Sequence, residues 1–132
     1  GNNRTHMIRI PDQGRFELRL MDGSANPYLL QSGIIAAGLE GINNKINPGK
    51  PLHCNMYTDY KRYPNLKKLP NDVNQAIKML ENSKSLADAF GKDVIQSYVK
   101  LKKQEIKNFN NKENFNKKRP VTQWEKDNTL DC

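Results

Sequence analysis

The stretch that decides the fold is Arg15-Phe16-Glu17-Leu18-Arg19. Its side chains alternate strictly. Phe16, Leu18 and, one step on, Leu20 point one way, while Arg15, Glu17 and Arg19 point the other. A period of two is the signature of a half-buried β-strand. Upstream, Thr5-His6-Met7-Ile8-Arg9-Ile10 has the same character, and Pro11-Asp12-Gln13-Gly14 between the two has tight-turn composition. The spacing therefore predicts an antiparallel hairpin, with strands over 5–10 and 15–20. On the first strand, Met7 and Arg9 share a face opposite His6, Ile8 and Ile10.

Downstream the period changes. Asn26-Pro27 offers an N-cap and a proline at the first helical position. The helix it starts is expected to run from 27 to about 46, stopped by Pro48-Gly49. Leu30, Ile34, Ala37 and Ile42 lie on one side, with Leu29, Ile35, Leu39 and Ile46 beside them. So wide an apolar surface predicts a buried helix. Gly33, Gly38 and Gly41 each cost about 1 kcal/mol relative to Ala, and close approach of another backbone would compensate. Residues 48–70 read as a long irregular connection. Asn71 is placed to cap a helix over 72–82. Ser83 or Ser85 starts a short helix ending at Gly91, and an amphipathic helix covers Lys92 to about Lys107. Residues 108–120 are rich in Asn and Lys and read as a flexible segment. Thr122-x-x-Glu125 fits a capping box, so 121–132 is expected to hold a short helix, anchored by Trp124. The fold class expected is α+β: a β-hairpin packed on a mainly helical C-terminal portion.

The chain has 132 residues, one domain's worth, and a net charge of +8. That excess admits an alternative reading, a free-standing basic α+β module that binds anions or nucleic acid. No zinc spacing or aromatic RNA-binding string supports it. The charge also falls into two kinds of place. Lys crowds the second half, as on a solvated surface. The first 44 residues hold four Arg and no Lys. No run reaches the roughly 18 apolar residues of a membrane span. Cys54 and Cys132 lie far apart and no signal peptide is visible, which predicts reduced thiols in a cytoplasmic protein.

The chemistry concentrates in those four arginines. Arg15 and Arg19 flank Glu17 at two residues' distance, Arg9 sits on the neighbouring strand, and Arg4 lies just before it. Guanidinium groups keep such a carboxylate ionised, fit to ligate a hard cation such as Mg²⁺. They also clamp carboxylate or phosphate oxygens in pairs. By themselves these residues admit two readings: a Mg-nucleotide cradle, or a solvated strand face with cross-strand ion pairs.

Longer motifs separate the two. Asn3-Arg4-Thr5, Ile8-Arg9-Ile10-Pro11, Arg15-Phe16-Glu17-Leu18-Arg19, Ser24-Ala25-Asn26-Pro27-Tyr28-Leu29, Ala37-Gly38-Leu39-Glu40-Gly41-Ile42, Asn44-Lys45-Ile46 and Pro48-Gly49 follow one another in fixed order. Together they resemble the C-terminal part of the glutamine synthetase catalytic domain. The resemblance is strong over residues 2–57 and looser through about 106. The Asn-Arg-Thr-His and Asp-Gly-Ser-Ala-Asn-Pro variants are similar to a divergent branch that includes γ-glutamylmethylamide synthetases.

The resemblance implies a cytoplasmic ATP-dependent ligase that joins glutamate to ammonia or a small amine, with Mg²⁺ or Mn²⁺. It implies that Arg4 contacts glutamate and the γ-phosphate and acts in catalysis. Arg9 and Arg15 would contact ATP, Glu17 would ligate the metal that bridges the phosphates, and Arg19 would hold the substrate glutamate. In that chemistry the glutamate γ-carboxylate is phosphorylated and an amine displaces the phosphate. Both steps build negative charge that Arg and a divalent cation stabilise. The remaining metal ligands and the catalytic loop of such an enzyme would lie upstream, so this chain is expected to be a piece cut from something longer and inactive alone. The active sites would form between neighbouring subunits of a homo-oligomeric ring. Two departures stand out. The turn at Asp12-Gln13-Gly14 lacks a nucleotide-contacting Lys of bacterial relatives. Tyr57 aligns with an adenylylated tyrosine, but Thr58-Asp59-Tyr60 departs from the pattern that accompanies it.

Other residues read as structural. His6 shares a face with Ile8 and Ile10. Tyr57, Tyr60 and Tyr63 read as the self-packing of a loop. No cationic pocket that would activate Cys54 is visible in the sequence.

Overall fold

A computed structural model describes residues 3–112 and 121–129. The elements along the chain are β1 (Ile8–Asp12), β2 (Arg15–Leu18), α1 (Pro27–Asn43), α2 (Met56–Asp59), a 3₁₀ turn (Tyr60–Arg62), α3 (Val73–Glu81), α4 (Lys84–Phe90), α5 (Lys92–Lys112) and α6 (Gln123–Thr129). The class is α+β, one two-stranded antiparallel sheet among helices. The chain divides into two units. One holds residues 1–23 and 47–69, the other 24–46 and 70–132.

The first unit carries the hairpin. Ile8 pairs with Leu18, Arg9 with Glu17 and Asp12 with Arg15, and the register is irregular between Arg9 and Asp12. Gly14 closes the turn at φ 76°, a left-handed conformation that a side chain would strain. β1 begins at Ile8, not at residue 5 as the pattern predicts, because the residues before it are engaged elsewhere. The Asn3 side-chain amide donates to the Cys54 carbonyl at 2.7 Å, and His6 Nε2 donates to the same oxygen at 3.0 Å. The Met56 N–H donates to Thr5 Oγ1 at 2.9 Å. These bonds tie the chain about fifty residues apart and hold the segment that leads into α2. β2 ends at Leu18, short of the expected residue 20, although the Arg19 N–H still donates to the Met7 carbonyl at 2.9 Å.

The second unit is helical. Ile77 of α3 and Ile95 and Val99 of α5 are its buried apolar residues, packed against Leu80, Leu86, Ala87, Phe90 and Ile106. Asn26 caps α1 as expected, accepting from the Tyr28 and Leu29 N–H groups. α1 stops at Asn43, short of 46, and Lys45 turns the chain out at φ 48°. The cap of α3 is Asp72, not Asn71. Asp72 accepts from the Gln75 N–H at 2.8 Å while the Gln75 side chain accepts from the Asn71 N–H. Ser83 caps α4. α5 runs five residues beyond the expected 107, so 108–112 is helix. Residues 113–120, the rest of the segment expected to be flexible, lie outside the described residues. The box at the start of α6 closes both ways. Glu125 N–H donates to Thr122 Oγ1 at 3.1 Å, and Glu125 Oε2 accepts from the Thr122 N–H at 2.7 Å. Trp124 docks edge-on to Phe109 of α5, ring centres 5.5 Å apart.

A further expectation fails. α1 is not buried: no residue of it is, and Tyr28 is 80% and Ile42 72% exposed. A Cβ added at Gly33, Gly38 or Gly41 would meet nothing within 4 Å. The predicted close backbone is absent among the described residues, because the second unit buries only three apolar side chains and none of them lies on α1.

Candidate functional site

All five residues singled out in the sequence lie in the first unit. The hairpin brings three of them together. Because Arg9 pairs with Glu17 across the ladder, their side chains meet on one face. Arg9 Nη1 lies 2.8 Å from Glu17 Oε2, and Arg15 Nη2 lies 2.8 Å from Glu17 Oε1. Both carboxylate oxygens are engaged. The two arginines differ in setting. The Arg9 side chain is 12% exposed, the Arg15 side chain 63%. The Glu17 carboxyl is held below the ordinary carboxylate range, first by the hydrogen bond from Arg9, with the positive charge of Arg9 and Arg15 adding to it and desolvation opposing.

Arg19 follows β2 and keeps its backbone in the ladder. Its side chain is exposed, as is Arg4 before β1. Neither forms an ion pair with Glu17. The structure thus assembles Arg9, Arg15 and Glu17 into one cluster and leaves Arg4 and Arg19 at its flanks in sequence.

The cluster fits a metal and a polyphosphate together better than a metal alone. Mg²⁺ is commonly held by one or two carboxylates plus substrate phosphates. Glu17 offers one carboxylate, and the arginines around it would draw the phosphates. Among the described residues, no three His, Cys, Asp or Glu side chains gather as a metal-binding group. A cation held at Glu17 would need further donors besides this one carboxylate.

Sequence reasoning did not find the neighbouring hollow. It is an open cavity of about 800 Å³, lined among others by His6, Ile8, Arg9, Met56, Tyr63 and Lys67. Its wall joins strand residues to a loop fifty positions away, a pairing no local pattern announces. His6 is structural, as expected, since its Nε2 is spent on a backbone carbonyl. The three tyrosines do not pack alike. Tyr57 is 76% exposed and Tyr60 49%, while Tyr63 is half-buried. The Tyr63 hydroxyl is pushed up, chiefly by its hydrogen bond with Cys54. The Cys54 thiol in turn points to Met56 Sδ at 3.5 Å. No helix among the described residues is long and apolar enough to cross a membrane.

With that geometry in place, comparison with known proteins gives the class. The family model described as "Glutamine synthetase, catalytic domain" matches residues 1–125. The chain belongs to the glutamine synthetase family, of which it covers part of the catalytic domain. It is 42% identical over 131 residues to the glutamine synthetase of Rhizobium meliloti (strain 1021), covering 99% of this chain and 28% of that protein. It is 39% identical over 109 residues to the glutamate–methylamine ligase of Methyloversatilis universalis, covering 80% and 24%. A solved structure described as a GmaS/ADP complex superposes with a TM-score of 0.76 at 42% identity, over 100% of this chain and 28% of that one. A second, described as apo GmaS without ligand, gives 0.71 at 40% identity, over 99% and 29%. The match reaches past residue 106, where the motifs read from sequence fade.

Proposed function

We propose that this chain supplies the phosphate-facing and glutamate-facing arginines of an ATP-dependent ligase that joins glutamate to ammonia or a small amine. The observation that supports it is the Arg9–Glu17–Arg15 cluster, two 2.8 Å ion pairs on one hairpin face, in a chain of this family. Arg9 and Arg15 hold the phosphates of ATP. Glu17 would hold the Mg²⁺ or Mn²⁺ through a carboxylate oxygen. The cation, when bound, neutralises charge on the phosphates as the γ-phosphoryl group moves. Arg19 holds the carboxylate of the substrate glutamate. Arg4 reaches the γ-phosphate and the glutamate and stabilises the charge that builds as the phosphoryl group passes between them.

The chain spans about a quarter of the length of the relatives it matches. One carboxylate leaves most of a cation's coordination positions to other donors. Alone, the 132-residue chain does not turn over; the reaction belongs to a full-length enzyme that carries it. As in the resemblance, neighbouring subunits of a homo-oligomer complete the site, and the protein works in the cytoplasm. Relatives named glutamine synthetase and glutamate–methylamine ligase both match it.

The test is a steady-state assay of ADP release by the full-length enzyme, with ammonia or methylamine as acceptor. Arg19→Ala is expected to raise the KM for glutamate by roughly tenfold or more, as loss of a charged hydrogen-bond partner does, with the KM for ATP little changed. An unaltered glutamate KM would refute the role given to Arg19.

A further inference from the structure

Arg4 is exposed, while both of its neighbours in the chain are half-buried. The side chains of those neighbours close a circuit with the start of α2. The Asn3 amide nitrogen donates to the Cys54 carbonyl at 2.7 Å. The Asn3 amide oxygen accepts from the Thr5 N–H at 3.0 Å and from the Thr5 hydroxyl at 2.7 Å. Thr5 Oγ1 in turn accepts from the Met56 N–H at 2.9 Å. Every side-chain nitrogen and oxygen of the pair is used, and the circuit has one direction. An Asn3 amide turned over would set oxygen against the Cys54 carbonyl and N–H groups against the Thr5 N–H. The anchor is itself held. Asn55 caps α2 by accepting from the Tyr57 N–H at 3.0 Å, and His6 adds a second bond to the Cys54 carbonyl at 3.0 Å.

We propose that Asn3 and Thr5 are positioning residues for Arg4: bonded on both sides of it to Cys54 and Met56, they fix the backbone from which its guanidinium reaches the reacting groups. This rests on the ligase reading, in which Arg4 stabilises charge on the moving phosphoryl group. A charge of that kind acts only when it is already in place, and a shift of about 1 Å costs roughly a hundredfold in rate. Arginine has a long side chain with many rotamers, so a loose backbone beneath it would add to an ordering cost that is already large. Arg9 and Arg15 have the strand ladder to hold them. Arg4 lies before β1 begins at Ile8, and the Asn3–Thr5 circuit takes the place of the ladder. Neither side chain needs to touch substrate; both act through Arg4.

The experiment is a double-mutant cycle on the full-length enzyme, read by steady-state, glutamate-dependent ADP release. Thr5→Val removes the hydroxyl and keeps the shape. It is expected to lower kcat by roughly tenfold or more, the scale on which misplaced catalytic groups act, with the KM for ATP little changed. Thr5→Ser restores the hydroxyl and should recover most of the turnover. Arg4→Gln alone should lower kcat at least as far as Thr5→Val does. Adding Thr5→Val to Arg4→Gln should then change little more, since no arginine is left to place; a residue that only supports the fold would add its full loss. Asn3→Ala is expected to behave as Thr5→Val does, and it serves for the same cycle if Thr5→Val does not fold. Wild-type kcat in either variant would overturn the proposal. So would a Thr5→Ser enzyme as slow as Thr5→Val, or a full further loss on the Arg4→Gln background. If neither variant folds, the circuit serves the fold and the positioning role falls. Wild-type turnover in Arg4→Gln would refute the role given to Arg4 itself, and this proposal with it.

Discussion

At the residue scale the account turns on Glu17. Its alternation with Arg15 and Arg19 was legible in sequence, as was the presence of Arg9 on the neighbouring strand. Which arginines would touch it was not legible. Pairing depends on register, and β1 starts where Asn3, Thr5 and His6 stop bonding to Cys54 and Met56. The folded pKa of Glu17 is lowered, so the ion pairs stabilise the fold above the ordinary carboxylate range. That contribution is lost as pH falls through the lowered value. Arg9→Gln removes the leading cause and should move the Glu17 carboxyl back up toward its ordinary value. A carbon-13 NMR titration of the side-chain carboxyl reads this directly. An unmoved titration would mean that Arg9 is not what holds it.

At the scale of elements, caps were read well where both halves of the motif were visible. Thr122-x-x-Glu125 announced α6, and Asn26-Pro27 announced α1. The cap of α3 was misplaced by one residue, because adjacent Asn71 and Asp72 both qualify and only the partner Gln75 decides. For α6, Thr122→Ala should cost about 1 kcal/mol of helix stability. Amide hydrogen exchange over Glu125–Asn128 would show it as roughly fivefold faster exchange, and unchanged rates would count against the cap. The Glu125 carboxyl is held low, first by the Thr122 N–H. The cap therefore works above the ordinary carboxylate range and weakens as pH falls through the lowered value. The protection of those amides, measured against their intrinsic exchange rate at each pH, should fall in acid. α1 shows the limit of reading elements in isolation. Its apolar breadth predicted burial, and the breadth is real. What would bury it is not among the described residues, because an apolar surface states a need and not a partner.

At the scale of the whole chain, two units share the work unevenly. The helical unit rests on Ile77, Ile95 and Val99. Ile77→Ala should cost about 3 kcal/mol, read as an earlier midpoint in denaturant unfolding followed by helical circular dichroism. A shift under about 1 kcal/mol would show that α3 is not seated where described. The hairpin unit carries the five charged residues that this chain brings to the proposed chemistry. The family was legible because its motifs are long and ordered. The assembled site was legible only in part, since the relatives are more than three times as long as this chain. The central claim is that Glu17 brings a divalent cation to the phosphates of ATP. It is tested most directly by glutamate-dependent ADP release in the full-length enzyme, wild type against Glu17→Ala, across a Mg²⁺ titration. The account predicts a loss of roughly a hundredfold in turnover, the scale on which a lost charge-stabilising group acts, with a higher Mg²⁺ requirement. Turnover and Mg²⁺ dependence equal to wild type would contradict it.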